Sequence, residues 1–157
     1  EAMGINKPSI YAAFGNKEEL FRKALGKYLS GPVAYVGEAM RQPTARAAVE
    51  MFLTKSAEFL TDKNTPLGCM VVQGALTCGQ GAELIQRELI AYRNGYEGAL
   101  KKRLELAQTQ NDFPADLNAA EFAKYLATVH QGMSVQATSG ATKKELLAVA
   151  GLPELKS

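Results

Sequence analysis

Gly4-Ile5-Asn6-Lys7-Pro8-Ser9-Ile10-Tyr11-Ala12-Ala13-Phe14-Gly15-Asn16-Lys17-Glu18-Glu19-Leu20 is the stretch on which the fold turns. Glu1 to Met3 read as the last turn of a helix ended by Gly4, since glycine is favoured just past a helix end. Asn6 is a cap for the next helix, and Pro8 is tolerated in its first turn. Gly15 closes that short helix. Asn16 followed three residues on by Glu19 is a capping-box start for a longer one. Turn, short helix, turn and long helix in this order form the second half of a helix-turn-helix. An opening of Glu1-Ala2-Met3 without an initiator Met is what a piece of a longer chain would show.

The residue types on the short helix suit a DNA groove. Lys7 reaches a guanine edge or a phosphate, and Ser9 pairs with almost any base edge. Pro8 offers apolar contact to a thymine methyl, and Tyr11 on the helix flank brings a hydroxyl toward a phosphate. Ala12 and Ala13 are small enough to let the helix lie close to the groove. Ile10 and Phe14, four apart, face inward and hold the helix on its neighbours. Lys17 places positive charge beside the backbone N–H groups of the next helix start. The plainer alternative makes Tyr11 and Phe14 ordinary core aromatics and Lys17 a solvated cap residue.

Gly4, Ile5, Ile10, Tyr11, Phe14, Lys17 and Leu20 resemble, at matching spacing, the signature of the tetracycline-repressor (TetR) family of bacterial transcriptional regulators. The resemblance implies base contacts from Lys7, Pro8 and Ser9 and phosphate contacts from Tyr11 and Lys17. Ala12 and Ala13 depart from members with larger groups there, so those positions are not expected to read bases. It also implies a helical body that binds a small-molecule effector and forms a homodimer through its last two long helices. Leu67 to Leu76, with its Gly68-Cys69 pair, looks like a stretch found in one branch of the family.

Composition agrees with such a fold. The 157 residues are 46% hydrophobic and 22% charged, enough to bury a core. A net charge of +2 is too small to point to nucleic acid by itself, because a DNA reader needs a local basic patch. No run approaches the ~18 apolar residues of a membrane span, and no signal peptide is evident. With two isolated cysteines, the expectation is a cytoplasmic protein without a membrane partner.

Along the chain, strand signals are weak and helical periodicity dominates, so the fold class expected is all-α: a helix-turn-helix head on a ligand-binding and dimerisation body. Residues 1–30 are assigned to the head and 31–157 to the body. The helix from Lys17 runs toward Met40, with a kink or break at Gly31-Pro32. Pro43-Thr44 opens a helix to Leu60, whose stripe is Ala45, Ala48, Val49, Phe52, Leu53, Ser56, Phe59 and Leu60. Cys69 to Cys78 is a short buried helix, with a strand at residues 69–72 as the alternative, and Gly79-Gln80-Gly81 ends it. A long amphipathic helix spans Ala82 to Gln108 on Ile85, Leu89, Tyr92, Tyr96, Ala99, Leu100, Leu104 and Ala107. Asn118 with Glu121 starts a helix to Thr138, and Thr142 with Glu145 caps the last.

Candidate effector contacts are Phe52, Phe59, Met70, Gln73, Thr77, Tyr92, Tyr96, Phe122 and His130. Gln73 and His130 lead, because a lone amide or imidazole in an apolar segment needs a partner when buried. Plain core is the competing account of each. Phe122, Leu126, Val129, Gly132, Met133, Leu146, Leu147 and Ala150 are candidates for the dimer interface; Gly132 lets helices approach closely. Cys69 and Cys78 are read as buried small hydrophobes, and no metal-ligand spacing appears. No catalytic constellation and no cofactor site is recognisable. The reading is a homodimeric repressor that grips a double-stranded DNA operator and is released by an effector. The alternative is a helical small-molecule binder or enzyme without specific DNA affinity.

Overall fold

The computed structural model describes Gly4, residues 7–77 and residues 82–151; the side chains of Lys7, Tyr11, Phe14, Ala75, Leu76 and Thr77 lie outside that description. The expected helix end at Glu1–Met3, the Asn6 cap, Cys78 and the Gly79–Gly81 break also lie outside it. The described residues form helices only: α1 (Lys7–Phe14), α2 (Lys17–Ser30), α3 (Tyr35–Met40), α4 (Ala45–Leu60), α5 (Met70–Thr77), α6 (Glu83–Thr109), α7 (Ala119–Thr138) and α8 (Lys143–Ala150). They fall into two compact units, Glu1–Ala34 and Tyr35–Ser157.

In the first unit α1 packs on α2. Gly15 joins them at φ +85°, a left-handed conformation that costs other residues about 1–2 kcal/mol. A Cβ there would also collide with Glu19 Oε2. That oxygen accepts the Asn16 N–H at 3.2 Å while Asn16 Oδ1 accepts the Glu19 N–H at 2.9 Å, completing the capping box. The helix expected to reach Met40 is interrupted: α2 stops at Ser30, and the Gly31 N–H closes onto the Lys27 carbonyl at 3.1 Å. Pro32, with no N–H to give, cannot continue the ladder.

In the second unit α4 packs against α3, α6, α7 and α8, and α6 lies against α5 and α7. Thr44 caps α4 by accepting the Ala47 N–H. Phe52, Leu60, Val71, Leu89, Leu100, Leu104 and Leu126 are among the fully buried side chains. The segment opening at Cys69 is helical, which removes the strand alternative. Gly68 sits at φ +85°, and a Cβ there would also lie 2.7 Å from Thr138 Cγ2 and 3.2 Å from the Ser134 carbonyl oxygen, so both the backbone angle and the crowding call for glycine. That close approach lets Ser134 Oγ accept the Cys69 N–H at 2.8 Å, fixing the start of α5 on α7.

Two positions depart from the expected stripe of α6. Tyr92 is 42% exposed, as a tyrosine's polar tip allows at the surface. Arg103, not expected in the core, is buried. Its Nη2 donates to the Gln42 carbonyl at 3.1 Å and lies 3.9 Å from Asp112 Oδ2, which itself accepts the Ala45 N–H. One guanidinium thus joins α6, the turn before α4 and the loop before α7.

Candidate functional site

α1 presents an outward edge. Pro8, Ser9, Ala12 and Ala13 are exposed, whereas Ile10 is half-buried, the split expected of a helix anchored from behind. No acidic residue lies in its first turn, so an approaching phosphate meets no carboxylate from that end. Lys7 and Tyr11 lie on this helix. Lys17 is exposed at the first position of α2. Its neighbourhood is less cationic than expected. Glu18 and Glu19 share the first turn, and the capping box already satisfies the Asn16 and Glu19 N–H groups. A phosphate held here would depend on the Lys17 ammonium.

The body holds a second concentration of polar chemistry. His130 on α7 is buried, with the Phe52 ring at 5.3 Å and the Tyr96 ring edge-on at 5.9 Å. Burial pushes the imidazole down to about 4, so it is neutral near pH 7. Ser56 Oγ, one turn after Phe52, donates to the Phe52 carbonyl at 2.7 Å and lies 3.1 Å from Tyr35 Oη. Tyr35 also packs on Phe59 at 6.0 Å. Gln73 Nε2 donates to the Ser134 carbonyl at 3.5 Å, and Met70 is half-buried one turn earlier. Tyr96 Oη is sealed from solvent and has no hydrogen-bond partner among the described residues.

Of the residues expected to line an effector site, the structure therefore brings Phe52, Tyr96 and His130 together. It ties Gln73 to α7 and puts Phe59 against Tyr35. Phe122 lies elsewhere, in a cleft of about 770 Å³ that it shares with Val49, Leu53, Phe113, Tyr125 and Leu147. Sequence reasoning missed Tyr35 and Ser134. Ser134 falls on the stripe of Ala127, His130 and Ala137, so α7's periodicity carried that signal.

Among the candidate interface residues, Leu126, Met133 and Leu146 are already buried within the single chain. Phe122, Val129, Leu147 and Ala150 are half-buried, and Gly132 is exposed. On α7 the exposed side of Gly132 is shared by Tyr125 and Val135, each 43% exposed. Among the described residues no cluster of His, Cys, Asp and Glu is arranged to hold a metal ion, and no helix is long and apolar enough to cross a membrane.

No family model matches the chain. It is 29% identical over 153 residues to the HTH-type transcriptional repressor ComR of Escherichia coli (strain K12), covering 96% of this chain and 73% of that one. To the HTH-type transcriptional repressor BdcR of the same organism it is 28% identical over 154 residues, covering 96% of this chain and 72% of the relative. Among solved structures, it superposes with a TM-score of 0.89 and 37% identity on a cysteine mutant of the TetR family transcriptional regulator CifR complexed with a 26-base-pair double-strand operator DNA. That match covers 96% of this chain and 79% of the other.

Proposed function

The chain belongs to the TetR family of transcriptional regulators, and from that premise we propose that it is a DNA-binding repressor acting as a homodimer on an operator and released by a small-molecule effector. The observation that carries the reading is the exposed edge of α1: Pro8, Ser9, Ala12 and Ala13 face outward on a helix seated against α2. Lys7, Pro8 and Ser9 then meet base edges, and Tyr11 and Lys17 meet phosphates. The exposed side of α7 around Gly132, with Phe122, Val129, Leu147 and Ala150, is the surface offered to the second copy. The effector enters the body at the cluster of Phe52, Tyr96 and His130. A protein with this task works where the DNA is, in the cytoplasm.

The test is operator affinity of the intact protein on duplex DNA from upstream of its own gene. Ser9→Ala should cost about 1–3 kcal/mol on the operator and relax preference at one base position. Lys17→Ala should weaken operator and random duplex alike and reduce the salt slope by about 1. Equal effects of both substitutions on every sequence would contradict base reading by α1.

A further inference from the structure

Polar groups buried in a protein almost always find partners, and those left over point to something not yet bound. Among the described residues Arg103 Nη1 and Tyr96 Oη are such groups, and Tyr96 belongs to the cluster with Phe52 and His130. Its surroundings have one consistent character, because every polar side chain gathered there is uncharged. His130 packs against its ring; Tyr35 and Ser56 pair with each other; Ser134 serves the Cys69 N–H. Burial raises Tyr96 well above the usual phenol range, so its hydroxyl keeps its proton and stays a donor. The buried cation Arg103 lies two turns along α6, roughly 10 Å away by helical rise; its Nη2 is held by the Gln42 carbonyl and Asp112, and its Nη1 has no hydrogen-bond partner among the described residues. An ionised ligand at Tyr96 would shed its hydration without meeting an opposite charge, a cost of several kcal/mol.

We propose that the effector is an uncharged molecule that brings a hydrogen-bond-accepting oxygen to Tyr96 Oη and lays a flat apolar portion against Phe52 and His130. This rests on the reading that the body takes an effector, and adds the chemical class. Tyr96 as a whole is only partly buried, and Tyr92, one turn earlier, is exposed, so this stretch of α6 lies near the surface although the hydroxyl itself is sealed. A permanently buried water on Tyr96 is the rival explanation.

The test compares matched aromatic probes by thermal shift and ligand-observed NMR on the full chain: acetophenone and benzamide as neutral acceptors, benzoate and benzylammonium as their charged counterparts. The neutral pair should bind, and Tyr96→Phe should weaken that binding about ten-fold, the loss expected for one buried hydrogen bond. The charged pair should bind at least ten-fold more weakly. An unchanged circular dichroism spectrum and a cooperative thermal transition would show that Tyr96→Phe is folded. Charged probes binding as tightly as neutral ones, neutral probes indifferent to Tyr96→Phe, or no binding by any probe would each overturn the assignment. Failure of repression is separable: a chain that binds the neutral probes through Tyr96 but grips no operator leaves the ligand class standing and removes the proposed function.

Discussion

Sealing a histidine between aromatic rings sets its charge, and His130 makes the consequence measurable. In the folded chain its ring takes up a proton near pH 4; in the unfolded chain it does so near its ordinary 6.5. Between those values the unfolded state binds more protons, so stability falls as pH drops through that window and levels off below it. The loss by pH 5 is about 2 kcal/mol. His130→Phe keeps a ring against Phe52 and Tyr96 and should flatten urea-derived stability between pH 6.5 and 4. An unchanged slope would mean that the histidine is solvated. That His130 carries polar chemistry was legible in the sequence, as a single imidazole on an apolar stripe. That Tyr96, far along another helix, closes over it was not, because such contacts are made by tertiary packing.

Helix boundaries here are written in local chemistry, which is why most could be read before the fold was known. Asn16 with Glu19, Thr44, Asn118, and Thr142 with Glu145 each satisfy N–H groups at a helix start. The break after Ser30 was equally local, since Gly31-Pro32 cannot sustain a ladder. Arg103 shows where this kind of reading ends. On a helix surface an arginine counts as polar, and only the fold brings the Gln42 carbonyl and Asp112 to it. Tyr92 fails in the opposite sense: it keeps the helical period but stays at the surface. Arg103→Ala should destabilise the body by about 2 kcal/mol in chemical denaturation, because it removes a buried side chain together with its charge-assisted hydrogen bond to the Gln42 carbonyl and its ion pair with Asp112. Arg103→Lys, with one point charge for a fork of donors, should recover less than half of that loss. A cost below about 0.5 kcal/mol, the level of a surface ion pair, would show that the guanidinium does not join the three segments.

For the whole molecule, two requirements must hold together. A short helix must offer a small outward edge to the major groove, and two copies must offer it across a dyad, because an operator half-site alone gives too little affinity and no spacing. An effector then acts only through its different affinity for the DNA-gripping and released arrangements, and by reciprocity operator DNA lowers effector affinity by the same factor. The most direct test attaches a DNA-cleaving iron chelate to the exposed position 13 of the intact dimer, as Ala13→Cys on a background without other reactive thiols. Bound to its operator, the protein should cut at two dyad-related places facing the major groove, separated by whole multiples of a helical turn, roughly 10–10.5 base pairs. Saturating effector should abolish both sets of cuts. Cleavage spread evenly along any duplex, or none at protein concentrations that saturate the operator, would contradict the assignment of α1 as the reading helix.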